Sequence, residues 1–249
     1  MDKVTLIDKT YTNIKLDEEY FDLYIVRKAI LNAVKINIKN FKGDLLDVGC
    51  GIMPYRELIL QENKTVTSYT GLDFENPIYS EYELIKPDIF WDGKTIPLNG
   101  NTIDTIIATE LFEHCANPED LMKEMGRVLK PGGTLFFTVP FLWYLHLTPN
   151  DEYRYTPFSL KRHLVNAGYN SINIQSLGGW DASLAQMLTI WLKFRPLAIK
   201  KKKILFRILQ PVIKKLLKTD NYLADKHDFK DGSMATGFWG TALKNSTGA

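Results

Sequence analysis

The chain has 249 residues, 45% of them hydrophobic and 24% charged, with a net charge of +2. That balance excludes a disordered chain and suits one α/β domain with an insertion, or two small domains. Two cysteines, Cys50 and Cys115, exclude a disulfide framework and a four-cysteine metal site, and they fit a reducing, cytoplasmic setting.

The first twenty residues have no apolar core of signal-peptide length. Residues 16–40 repeat apolar side chains at helical spacing and predict one or two helices. A short buried strand follows at 44–48. It leaves through Gly49-Cys50-Gly51 into a helix at 55–63, with Pro54 placed for the first turn. A second strand is predicted at 68–74, a short third at 88–93 and a β-branched fourth at 103–109. A helix at 118–130 opens at Asn117-Pro118 and closes at Pro131-Gly132-Gly133. A fifth strand at 134–140, a helix at 157–168, a sixth strand at 170–177 and a seventh at 235–244 complete the alternation.

Strands alternating with helices predict a doubly wound, Rossmann-like, mostly parallel seven-stranded sheet with helices on both faces and an antiparallel last strand. The chain divides into a helical cap (1–40), a core (41–180), an insertion (181–232), and the last strand with its tail (233–249). The insertion breaks the alternation. From Lys193 to Lys218 there are ten Lys or Arg and no acid, and the rest of the chain has 21 basic against 29 acidic residues. Its longest uncharged apolar stretch, 182–192, falls short of the roughly 20 residues that span a bilayer.

Ligands of such sheets bind beyond the carboxyl ends of the strands. Acids and glycines gather there. Asp47, Gly49 and Gly51 form D-x-G-x-G, where the glycines let a ligand approach the backbone and the carboxylate suits an amine or hydroxyl. A dinucleotide fingerprint would need a third glycine where Pro54 stands, and Asp47 would repel a pyrophosphate. Asp73 ends the second strand, where an acid commonly takes ribose hydroxyls. Asp92 follows Trp91, an aromatic and an acceptor suited to an adenine. The bland reading of Asp47 is a turn cap, and that of Cys50 is a small packed side chain. Three acids at neighbouring strand ends instead suggest a ligand with an amine, a diol and a base, and no phosphate.

The order LLDVGCG, YTGLDF, FWDG, then IDTIIATELFEHCANPEDLMKEMGRVLKPGGTLFFTVP closely resembles class I S-adenosylmethionine-dependent methyltransferases of the small-molecule branch, over about residues 41–178 and the final strand. The resemblance implies S-adenosylmethionine as cofactor. It implies that Asp47, Gly49, Cys50 and Gly51 lie along the methionine part, and Asp73 and Phe74 along the ribose. Asp92 and Gly93 would lie at the adenine, and Glu110 and Leu111 on the methionine side. One departure is Met53, where the family often has a further glycine. Glu113 and His114 read as a structural pair at the site floor. Without a spaced ligand set, no metal is expected.

After the fifth strand, residues 141–156 concentrate Trp143, Tyr144, His146, Asp151, Tyr153, Arg154 and Tyr155. Rings with polar tips suit a sugar or another polar acceptor, and H-x-x-P-x-D-x-x-R-Y-T resembles a loop of bacterial surface-glycan methyltransferases. By type, His146 is the candidate general base, with Asp151 orienting it or acting itself. The bland alternative packs His146 in the loop and pairs Asp151 with Arg154. Trp143, Tyr144, Tyr153, Arg154 and Tyr155 would line the acceptor, a sugar hydroxyl, free or on a glycan lipid. A quinone precursor or an amine is the alternative acceptor. A non-catalytic scaffold in a glycan assembly is the alternative function. The basic insertion, with Ile204, Ile208, Val212 and Leu216 on one helical face, reads as a lid, a homodimer contact or a peripheral contact with an anionic membrane. Its aromatics do not interleave with the charge as a nucleic-acid platform would.

Overall fold

Seven strands form one sheet: β1 (Gly43–Val48), β2 (Val66–Asp73), β3 (Ile89–Phe90), β4 (Ile103–Thr109), β5 (Leu129–Pro140), β6 (Tyr169–Leu177) and β7 (Gly237–Lys244). They lie in the order β3-β2-β1-β4-β5-β7-β6. The first five pair in parallel, and β7 runs antiparallel between β5 and β6. The computed structural model describes residues 3–74, 86–220 and 229–246. The expected mixed sheet, with its antiparallel last strand, is what forms.

The central strands carry short apolar runs, Leu45-Leu46, Ile106-Ile107-Ala108 and Leu135-Phe136-Phe137, because both faces are covered. Neighbouring residues go to opposite cores, as the period of two requires. Leu46, Ile106 and Phe137 pack on one side with α4 (Pro118–Val128) and α5 (Pro157–Asn166). Leu45, Ile107 and Phe136 pack on the other with α2 (Phe21–Asn37) and α3 (Arg56–Glu62). A short helix α1 (Lys3–Ile7) and a π-helical turn (Asp8–Thr12) precede α2. Helix starts follow local chemistry. α4 has Pro118 in its first turn with Glu119 and Asp120 behind it. Thr156 caps α5 reciprocally with Ser159, at 3.1 and 3.2 Å.

Boundaries shift where packing overrides local signals. Residues 88–93 supply only the two-residue β3. The Pro131-Gly132-Gly133 stop lies inside β5, which begins at Leu129. Gly240 lies mid-strand in β7, where an added Cβ would stand 2.5 Å from the Phe137 ring and 2.7 Å from the Asn173 carbonyl oxygen. Overpacking of this kind costs about 1–3 kcal/mol. Gly240→Ala is therefore expected to lower the urea midpoint by that equivalent without changing the slope, measured by circular dichroism.

The described part of the insertion contains a pair of packed helices, α6 (Trp180–Phe194) and α7 (Ile199–Thr219), and residues 221–228 lie outside the described residues. Leu192 and Phe206 meet Phe21 of α2, and Ala185 and Ile213 meet Ile25. Arg207 and Lys203 pair with Glu18, and the Gln210 amide donates to the Leu16 carbonyl. Of the expected face, Ile204, Ile208 and Val212 point outward and Leu216 packs partly buried beside Ile25 and Ile213, while Phe206 and Ile213 are the buried residues. α7 therefore carries two apolar faces and continues through Pro211, whose side chain is exposed. Among the described residues, no helix is long and apolar enough to cross a membrane.

Candidate active site

The carboxyl ends of β1, β2 and β4 meet at one edge, because parallel pairing sets Asp47 against Gly71 on one side and Ile107 on the other. Asp47 is buried. One of its oxygens accepts a very short hydrogen bond from the Tyr69 hydroxyl, and the other has no protein partner. Burial pushes its carboxyl up to about 7, against the pull of the Tyr69 hydroxyl and with a smaller push from Asp73. Tyr69 was not legible as a site residue. Its position follows only once β2 is registered on β1.

The turn after β1 needs its glycines. Gly49 has φ +71° and stands so close to Leu111 that a Cβ would lie 2.7 Å from its Cδ1. Gly51 has φ +50° with no atom within 4 Å of where a Cβ would go, so its face is open to a ligand. Met53, the departure from the expected glycine, keeps glycine's backbone at φ 52°. That conformation costs about 1–2 kcal/mol in a non-glycine residue. Burying its side chain against Gly71 and Cys50 offsets the cost, since a buried Met contributes about 1.5–3 kcal/mol. Cys50 is itself buried, and burial raises its thiol well above the ordinary range.

Asp73 ties the turn to β2, accepting from the Gly51 N–H at 2.7 Å and from the Phe74 N–H at 2.7 Å. Asp88, also unforeseen, accepts from the Gly71 N–H at 2.8 Å and pairs with Arg56 at 3.1 Å. Beyond them, Phe74 and Trp91 stand 5.8 Å apart, and a Cβ on Gly93 would lie 2.6 Å from the Phe74 ring. Asp92 is exposed. One of its oxygens accepts from the Lys94 and Thr95 N–H groups, which lower its pKa.

After β4 the chain turns sharply. Glu110 has φ 52° and is pinned to β5, its N–H donating to the Thr138 carbonyl at 3.0 Å and its Oε1 accepting from the Thr138 hydroxyl at 2.8 Å. Burial raises its carboxyl. Glu113 follows on a 3-10 turn, fully buried, with neither carboxylate oxygen hydrogen-bonded. Burial, reinforced by Glu110, raises it well above the usual range.

The 141–156 loop wraps over this turn, where the Glu152 and Tyr153 N–H groups donate to the Glu113 carbonyl. That brings His146 to His114, with ring centroids 4.7 Å apart. Burial, then His114, lowers the His146 pKa, so its imidazole is neutral at pH 7. Asp151 is held by Arg154 through both oxygens, at 2.7 and 2.9 Å, and lies 3.3 Å from His146 Nδ1. The Arg154 guanidinium keeps its carboxyl far below the usual range. Asp151 is thus placed to orient His146, and its expected alternative use as a base does not fit a carboxylate held in this way.

Tyr155 corrects the expected acceptor lining. It is core, buried, with its hydroxyl donating to the Phe112 carbonyl at 2.8 Å. Tyr153 is exposed, stacks on it, and donates to the Ala116 carbonyl at 3.1 Å. Trp143 stacks on Tyr144, which meets Phe194 of α6 edge-on at 4.7 Å. The Gln186 amide donates to the Leu142 carbonyl. α6 therefore holds the loop from outside. Beside the loop lies a cavity of about 510 Å³, lined by Phe141, Phe158, Trp180, Phe229 and Phe238 among others.

A sheet in this order, with these glycines and acids at its carboxyl edge, is the Rossmann-like fold of class I methyltransferases. Residues 46–137 match the family described as "Methyltransferase domain". The chain is 33% identical over 122 residues to a sterol 24-C-methyltransferase of Gibberella zeae, covering 46% of this chain and 32% of that protein. It is 26% identical over 141 residues to the ubiquinone biosynthesis O-methyltransferase of Coxiella burnetii, covering 53% and 59%. The chain thus spans less than two thirds of the length of either relative. A SAM-dependent methyltransferase from Archaeoglobus fulgidus shares the fold at 16% identity, with a TM-score of 0.55, covering 98% of this chain and all of that one. Residues 46–137 thus match a methyltransferase domain, and the sheet shares the fold of S-adenosylmethionine-dependent methyltransferases. The residues present fit that cofactor: a buried unpartnered oxygen on Asp47 suits an ammonium, and the open face of Gly51 admits a ligand against the backbone.

Proposed function

We propose that this protein transfers the methyl group of S-adenosylmethionine to a hydroxyl of a polar small molecule held under the 141–156 loop, with a sugar hydroxyl on a lipid carrier as the acceptor. The observation that carries the reading is the half-buried His146 beside the end of β4, its backbone N–H on the Arg154-bound Asp151 at 3.0 Å, its Nδ1 3.3 Å from that carboxylate and its pKa lowered by burial. Bound cofactor supplies a methyl on a sulfonium, and its transfer is an in-line displacement governed by alignment. Asp47 receives the ammonium, Asp73 the ribose diol, and Asp92, with Phe74, Trp91 and Gly93, the adenine. Glu110 and Leu111 close the methionine side. His146 accepts the acceptor's proton, Trp143 and Tyr153 offer ring faces to a sugar, and Arg154 fixes the loop.

A second acceptor class, a phenolic hydroxyl of a quinone precursor, is favoured by the aromatic lining of the neighbouring cavity and by the name of the Coxiella relative. Incubating the protein with cofactor and either nucleotide sugars, glycan lipids or catechols, and reading products by mass spectrometry, separates the two. A methylated sugar supports the first and a methylated catechol the second. Binding of cofactor without any product returns the scaffold reading.

The insertion serves this site on two sides. Inward it fastens the loop. Outward, α6 exposes Trp180, Leu184, Met187, Trp191 and Phe194 at helical spacing, and α7 exposes Ile199, Ile204, Ile208 and Val212 among the lysines. Apolar stripes beside the exposed Lys200 and Lys201, which lie apart from the Glu18 ion pairs, suit an anionic membrane surface, where each Lys contributes about 1 kcal/mol. Replacing Lys200 and Lys201 with glutamine is expected to weaken sedimentation with phosphatidylserine vesicles about 30-fold. Equal binding to phosphatidylcholine vesicles, or a stable dimer and no vesicle binding, would reject the membrane contact.

A further inference from the structure

The sequence offers Glu113 and His114 as neighbours and places His146 far along the chain, with no spacing that suggests a ligand set. Folding assembles one. A Glu113 oxygen and one ring nitrogen of each histidine all lie within 4.8 Å of one another. We propose that Glu113, His114 and His146 form a binding site for a single first-row divalent cation beside the end of β4.

Three independent features support it. First, Glu113 is fully buried with both carboxylate oxygens lacking any hydrogen-bond partner. A buried polar group is normally satisfied, and an orphaned one calls for a partner the protein atoms do not supply. Second, His114 is held as metal-bound histidines usually are, and His146 is anchored through its backbone N–H, which donates to Asp151 at 3.0 Å, while its Nδ1 makes no hydrogen bond. His114 Nδ1 sits 2.7 Å from the Asn150 carbonyl, which fixes the proton there and leaves Nε2, 3.6 Å from Glu113 Oε1, with its lone pair free. The Asp151 carboxylate lies 3.3 Å from His146 Nδ1, and Arg154 holds that carboxylate in turn. Third, the donor set selects the ion. Two imidazoles and one carboxylate suit manganese, iron, cobalt or zinc rather than calcium, and three protein ligands leave coordination positions open. Ligands about 2.1 Å from one ion stand roughly 3–4 Å apart, so the widest separation closes by about an ångström on binding.

The site stands without the acceptor proposed above; only its use rests on that reading. An acceptor hydroxyl coordinated at an open position loses its proton to solvent more readily. His146 is then a ligand, and the base role belongs to the cation-free protein.

The test uses the full chain, stripped with chelator and titrated with cobalt(II). One ion per chain, with visible d–d absorption showing nitrogen ligation, is expected. Glu113→Gln and His146→Ala should each weaken binding at least about tenfold. S-adenosylmethionine titration and circular dichroism on the same variants establish that they are folded. Cobalt that fails to bind the wild-type chain, or binds equally well to both variants, overturns the site. Methyl transfer that persists in the chelated protein overturns only the catalytic use and leaves the site to the titration.

Discussion

Asp73→Ala is expected to weaken S-adenosylmethionine binding at least tenfold, about 1.4 kcal/mol. The carboxylate has two tasks. It accepts from the Gly51 N–H at 2.7 Å, which holds the glycine turn against β2, and it stands where the ribose diol is proposed to lie. A hydrogen bond to a charged group contributes about 1.5–3 kcal/mol, so losing either task alone accounts for the tenfold. Asp73→Asn separates them, because an amide oxygen can still accept from Gly51 while the charge is gone. Calorimetry on the three proteins reads the effect. Unchanged affinity in Asp73→Ala would remove Asp73 from the cofactor site.

Cofactor affinity is also expected to rise with pH, on the order of tenfold between pH 5.5 and 7, through Asp47. Burial lifts this carboxyl from 3.8 to about 7. In the free protein, a raised carboxyl contributes stability that is fully present below 3.8 and is lost as pH rises through about 7. An ammonium at the unpartnered oxygen reverses that trend, because only the ionised carboxylate pairs with it. Proton release therefore accompanies cofactor binding in this window. Asp47→Asn keeps a group beside Tyr69 and cannot ionise, so its cofactor affinity should be weaker and flat with pH. A wild-type affinity that is equally flat would show that Asp47 does not meet the ammonium.

The sheet was legible because its chemistry is local. Ile103–Thr109 is rich in β-branched residues, with Asp104 its one charge, and it forms the predicted strand residue for residue. Asp47, Gly49, Gly51 and Asp73 were legible because strand ends in this fold collect ligand groups, and the structure brings them together at one edge. What stayed hidden depends on contacts between distant segments. Tyr69 reaches Asp47 only through strand register, and His146 reaches Glu113 only because the loop folds back onto its carbonyl. Tyr155 read as an acceptor-lining ring, whereas it is buried with its hydroxyl on the Phe112 carbonyl. The insertion misled in a different way. The face of Ile204, Ile208, Val212 and Leu216 reads as a lid, dimer or membrane contact, whereas in the fold α7 buries Phe206 and Ile213, packs Leu216 beside them and leaves Ile204, Ile208 and Val212 outside. Periodicity reports that a face exists, not which of two faces meets the core.

The most direct test of the central claim is calorimetric titration of the purified protein with S-adenosylmethionine and, separately, with NAD. The arrangement of Asp47, Gly51 and Asp73 predicts micromolar binding of the first and none of the second. Binding of NAD, or of neither, would contradict it.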